Sequence, residues 1–136
     1  MTMEKIRTTI QQRGETAILV VEQSTAARLS LSELFRDEGY QVSDAADSGA
    51  AIDIIDNNKS LNVVLIDLDM PAWDAVIKRG RQIVPNAHIL SMVGFLSINN
   101  VSEAEHLGSD GHFLKPLDFA YLHQSIQSIL AKKASV

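Results

Sequence analysis

The chain has no cysteine. That excludes disulfides, thiol catalysis and cysteine metal sites, and it fits a cytoplasmic protein. No unbroken apolar stretch is long enough to span a bilayer, and no apolar segment follows the charged N-terminus as a signal peptide would require. Basic residues are outnumbered by acidic ones, 12 to 17, for a net charge of −5. Direct nucleic-acid binding, which needs a basic face, is not expected. The phosphate-binding patterns G-x-x-x-x-G-K-[ST] and G-x-G-x-x-G are absent, so nucleotide binding has no support. His88, His106, His112 and His123 are scattered over separate segments without zinc spacing and read as structural. Repeats and low-complexity tracts are also missing.

What is present is 136 residues with 46 % apolar content, enough for one domain with one core. Residues 1–16 read as a short helix or a mobile tail, with Ile6 and Ile10 at helical spacing and Gly14 as a stop. Residues 17–131 form the domain, and 132–136 a C-terminal tail. Within the domain, Ala17-Ile18-Leu19-Val20-Val21 is a buried strand. Ser24 or Thr25 caps a helix carrying Leu29, Leu31, Leu34 and Phe35, which stops near Gly39. Tyr40 to Ala45 alternates like a half-exposed edge strand. Ser48 opens a helix that ends at Asp56-Asn57-Asn58.

Val63-Val64-Leu65-Ile66-Asp67 is a second buried strand. A short helix follows Pro71, roughly from Asp74 to Ile83, with Trp73 packing over it. His88 to Met92 is a strand, and Phe95, Leu96 and Ile98 lie in the loop after Gly94. They either fill the core edge or form a partner surface. A helix spans Val101 to Leu107, Gly111 to Leu114 is the last strand, and Asp118 begins a closing amphipathic helix.

Five β-α pairs in succession imply an α/β fold, a parallel sheet wound doubly with helices on both faces. The first and third strands then adjoin at the switch point, so Glu22 and Asp67 face one crevice at the strand ends. Ser91 and Lys115 are expected at the same rim. A carboxylate, an acid, a hydroxyl and a lysine at strand ends make a site for a phosphoryl group.

Four landmarks carry a resemblance: Ile18-Leu19-Val20-Val21-Glu22, Asp67-Leu68-Asp69-Met70-Pro71, Ser91 and Lys115-Pro116. In this order they resemble the receiver domain of bacterial two-component response regulators, over roughly Ala17 to Leu130. The resemblance implies a flavodoxin-like (βα)5 sheet in strand order 2-1-3-4-5, and a signalling protein rather than an enzyme. It makes Asp67 the phosphoacceptor, Ser91 the switch hydroxyl, Lys115 the phosphate contact and His112 the switch-position residue. It implies a cis peptide before Pro116. It also implies a Mg2+ site formed by Glu22, Asp67, the backbone carbonyl of Asp69 and, weakly, Gln23.

The implied partners are a histidine kinase or histidine phosphotransfer protein and a downstream protein. A homodimer is left open, and neither nucleic acid nor membrane is implied. An aspartate carboxylate can take a phosphoryl group as an acyl phosphate, while a cation and a lysine offset the charge on its oxygens.

The sequence departs from the family pattern in places. Gln23 stands where a second acid is expected, an amide that can ligate a cation but brings no charge; Asp69 could supply the missing charge. Met92 stands where a small residue is usual and is expected to lie partly over Asp67. Ala75 replaces a usual glycine and would be strained if its φ were positive. The stretch from Asp67 to Ser91 is short for the family by about one helical turn. Two functions stay open. One is a single-domain response regulator of a phosphorelay. The other is a pseudo-receiver that binds protein without phosphorylation.

Overall fold

The computed structural model describes residues 2–4 and 12–134. Ile6 and Ile10, the expected helical pair of the N-terminal segment, lie outside the described residues. Residues 12–15 are helical, and Arg13 joins them to the domain through an ion pair with Glu38 at 3.1 Å. The domain alternates strand and helix from there. The strands are β1 (Ala17–Val21), β2 (Gln41–Ala45), β3 (Val63–Asp67), β4 (His88–Val93) and β5 (Gly111–Leu114). The helices are α1 (Thr25–Asp37), α2 (Ser48–Asn57), α3 (Trp73–Ile83), α4 (Val101–Leu107) and α5 (Phe119–Ala134), the last running three residues past the expected boundary at 131.

All strand pairs are parallel, in the order β2-β1-β3-β4-β5. The reason is visible in the side-chain alternation. In β1 and β3 every residue is buried, so both faces need cover. Leu19, Val21, Val64 and Ile66 face Ala51, Ile55, Val76, Ile77 and Ala104 from α2, α3 and α4. Ile18, Val20, Val63 and Leu65 face Leu31, Phe35, Leu122 and Ile126 from α1 and α5. Each valine, leucine, isoleucine or phenylalanine among them, fully buried, contributes roughly 1.5–3 kcal/mol.

Helix starts follow capping chemistry. Ser24 caps α1 by accepting from the Ala27 amide at 3.3 Å. Asp47 caps α2 through the Ala50 amide at 2.8 Å. Asp118 accepts from the Tyr121 amide at 3.2 Å before α5. Gly39, at φ 99°, ends α1 in a conformation open mainly to glycine.

Several expectations need correction. Leu29 and Leu34 of α1 are exposed, and only Leu31, Ser32 and Phe35 of that helix are buried. Phe95, Leu96 and Ile98 are not core: they sit in a 3-10 turn, Phe95–Asn100, with Phe95 92 % and Leu96 90 % exposed. The positive φ in the turn after β3 falls on Ala72, at 59°, not on Ala75. Trp73 packs in the core as expected.

Candidate functional site

The order of the strands puts the ends of β1 and β3 side by side. Glu22 follows β1 directly, and its amide still donates to Ala45 at 3.0 Å. Asp67 is the last residue of β3 and is fully buried. Lys115 follows β5 and is held there by its amide on the Val93 carbonyl at 2.8 Å, with the expected cis peptide to Pro116. The lysine ammonium lies 2.9 Å from Asp67 Oδ1, 3.1 Å from Glu22 Oε1 and 3.2 Å from Asp69 Oδ2. Asp67 Oδ1 also accepts from the Asp69 amide at 2.8 Å. Three acids and one cation thus share a site at the rim of the sheet.

Protonation follows from burial. Burial first, then the hydrogen bond to Asp67 and its negative charge, push Glu22 up to about 7 against the opposing pull of Lys115. Burial also acts to raise Asp67. Hydrogen bonds from the Glu22 carboxyl, Lys115 and the Asp69 amide outweigh it and leave Asp67 below its ordinary value. For Lys115 burial is again the largest influence and lowers its value, but Asp67 and Glu22 together reverse it and raise the net value. Asp67 is therefore the ionised carboxylate of the pair, and Glu22 the one that holds a proton near neutral pH. With both carboxyls ionised, Glu22 Oε2 and Asp67 Oδ2 are buried without a hydrogen-bond partner. Such atoms are costly to leave unsatisfied, and they suit a proton or a cation.

Ser91 is not brought to this site. Strand β4 runs two residues further, to Val93, and Ser91 pairs in register with Ile66 rather than Asp67. Its hydroxyl lies 2.8 Å from that of Ser109 in the interior. The physical cause is the apolar continuation Met92-Val93, which extends the buried strand until Gly94. The rim position that was expected to carry a hydroxyl carries Val93.

Met92 lines a groove that reaches Glu22 and Lys115, but it is no exposed cover. It is buried with Leu65, Leu90 and Leu122 in the core. His112 is exposed, with Nδ1 3.7 Å from Glu105 Oε1. Gln23 donates its amide N–H to the Asp69 carbonyl at 3.3 Å, so two members of the expected cation site are bonded to each other. Among the described residues no cluster of three or more His, Cys, Asp or Glu stands ready as a metal cage.

Glu22, Asp67 and the orphaned oxygens nonetheless fit a hard divalent cation by donor type. Gly94 was read only as the residue before the loop of Phe95, Leu96 and Ile98. Its contact with Asp69 escaped notice because nothing in the sequence shows which loop faces it.

Comparisons with known proteins agree with the fold. The model of the response regulator receiver domain family matches residues 18–127. Sporulation initiation phosphotransferase F of Bacillus subtilis (strain 168) is 30 % identical over 120 residues, covering 87 % of this chain and 96 % of that protein. The transcriptional regulatory protein ZraR of Salmonella typhimurium is 32 % identical over 121 residues, but the match takes in 88 % of this chain and only 27 % of that protein.

Among solved structures, a CheY-like response regulator receiver domain protein from Methanospirillum hungatei superposes with a TM-score of 0.81 at 24 % identity, covering 88 % of this chain and 97 % of that one. The chemotaxis protein CheY4 of Vibrio cholerae gives 0.75 at 25 %, over 83 % and 97 %. With its strand order, its rim acids and its lysine all in place, the chain belongs to the response regulator receiver domain family.

Proposed function

We propose that this receiver serves a phosphorelay, taking a phosphoryl group onto Asp67 from a histidine kinase or histidine phosphotransfer protein and signalling by contact with a downstream protein. The observation that carries this reading is Asp67 itself. One carboxylate oxygen is fixed by Lys115 and the Asp69 amide, and the other has no partner once Glu22 is ionised. That is the arrangement of a positioned nucleophile. The free oxygen attacks phosphorus, the bond from phosphorus to the donor imidazole nitrogen breaks, and the nitrogen keeps the electron pair. Lys115 offsets charge on the transferring oxygens. A divalent cation, when bound, supplies further positive charge for those oxygens.

A groove of about 310 Å³ approaches the same acids between α1 and the turn after β5. Leu31, Leu34 and Phe119 line it, with Glu22 and Lys115 at its polar end. It offers a donor protein an apolar path to the site. The likeness to a sporulation phosphotransferase over nearly the whole of both chains supports the relay reading.

A second reading, a protein-binding module that works without phosphorylation, is favoured by one specific observation: Val93, not a hydroxyl, ends β4. Phosphoramidate, which carries the phosphorus–nitrogen bond of a phosphohistidine, separates the two. Treatment followed by hydroxylamine should trap an acyl phosphate as a hydroxamate at residue 67, found by peptide mass mapping. Absence of the hydroxamate from well-folded protein, with a cognate kinase also failing to label it, would favour the second reading.

A further inference from the structure

Asp69 is more than a turn residue. Its side chain is about a quarter exposed, and Oδ2 reaches the same ammonium that Asp67 and Glu22 share. Space for it comes from residue 94. A Cβ on Gly94 would stand 2.6 Å from Asp69 Oδ2, 3.2 Å from Oδ1 and 3.3 Å from Cγ. The first of these distances is closer than Cβ atoms tolerate. The backbone of Gly94 is ordinary, at φ −89° and ψ 174°, so its conformation does not call for glycine. What glycine provides here is the empty volume that the Asp69 carboxylate fills. Gln23 ties the Asp69 carbonyl from the other side. Independently, the unpartnered oxygens of Glu22 and Asp67 belong to side chains only 5 % and 0 % exposed.

We propose that the Asp69 carboxylate, admitted by Gly94, is the third acid of this site in place of the one that Gln23 lacks, and that Glu22, Asp67 and Asp69 together take a divalent cation of the magnesium class. The purpose of the cation rests on the phosphoacceptor reading above; the binding itself does not. Hard oxygen donors of this kind suit Mg2+, which keeps water on its remaining positions. Lys115 holds the acids together, and its positive charge would oppose a cation at such short range. Gln23 is a positioning residue that fixes the Asp69 backbone.

The test is a magnesium chloride titration of the full chain, followed by the amide resonances of Asp69 and Gly94. Asp69→Asn should weaken the wild-type affinity by at least about tenfold, the scale on which even supporting residues of metal sites act. Gly94→Ala should weaken it too, yet add little in the Asp69→Asn background. Gln23→Asp should recover most of the loss in Asp69→Asn, which a misfolded variant could not do. Lys115→Ala should tighten binding. Equal affinity in wild type and Asp69→Asn would overturn the proposal, as would no magnesium-dependent shift in wild type.

Intact-mass labelling of the same samples keeps the two readings apart. Labelled Asp67 with Asp69-independent cation binding sinks only the third-acid proposal. Asp69-dependent binding without labelling sinks only the phosphoacceptor reading.

Discussion

The hydroxyls of Ser91 and Ser109 meet at 2.8 Å inside the fold, where Ser91 pairs in register with Ile66 rather than with Asp67. Ser109 also contacts the Ile89 and Gly111 carbonyls, at 3.4 and 3.0 Å. The pair ties β4 to the loop before β5. Ser91→Ala should therefore cost about 1 kcal/mol of stability, the net worth of one hydrogen bond, measured by urea denaturation. Phosphoryl labelling of Asp67 should be unchanged. A loss of labelling without a loss of stability would return Ser91 to the site.

Ala72 sits at φ 59°, ψ 28° immediately before α3. A left-handed alanine is strained by roughly 1–2 kcal/mol, and glycine gives part of that back through its looser unfolded chain. Ala72→Gly should raise stability by about 0.5–1 kcal/mol. The control is Ala75→Gly, which has no positive φ to relieve and should destabilise α3 by about 1 kcal/mol. Equal effects of the two in thermal denaturation would contradict this account of the turn.

These cases show where the sequence was legible. Strands β1, β3 and β5 and helix α4 were readable to the residue, because their apolar or helical pattern gives way at Glu22, Asp67, Lys115 and Gly108. The adjacency of β1 and β3, and with it the meeting of Glu22 and Asp67, followed from the alternation of elements; the full strand order was what the resemblance implied. The end of β4 was not readable, since Ser91 is a polar residue inside a strand whose apolar neighbours continue to Val93. Buried serine needs only one partner, and Ser109 is distant in sequence. The exposure of Leu29 and Leu34 was hidden for a related reason. Apolar residues on α1 are more numerous than its packed stripe can hold.

Glu22 makes stability depend on pH in a definite sense. Its folded value, about 7, lies above the ordinary 4.5, so the folded state holds the proton more tightly than the unfolded chain. The contribution is fully present below about 4.5 and is lost as pH rises through about 7. His123, lowered from 6.5 chiefly by burial, acts in the opposite sense and costs stability as pH falls below that value. Urea midpoints taken from about pH 5 to about pH 8 should show that Glu22→Gln removes the decline on the alkaline side and leaves the acid side alone. An unchanged alkaline slope in Glu22→Gln would mean that Glu22 is ionised in the folded state.

The most direct measurement of the central claim is intact mass after incubation with acetyl phosphate and magnesium, for wild type and Asp67→Asn side by side. The account predicts the gain of one phosphoryl group in wild type and none in Asp67→Asn. A wild-type mass that stays unchanged with acetyl phosphate, and again with a cognate histidine kinase, would contradict it.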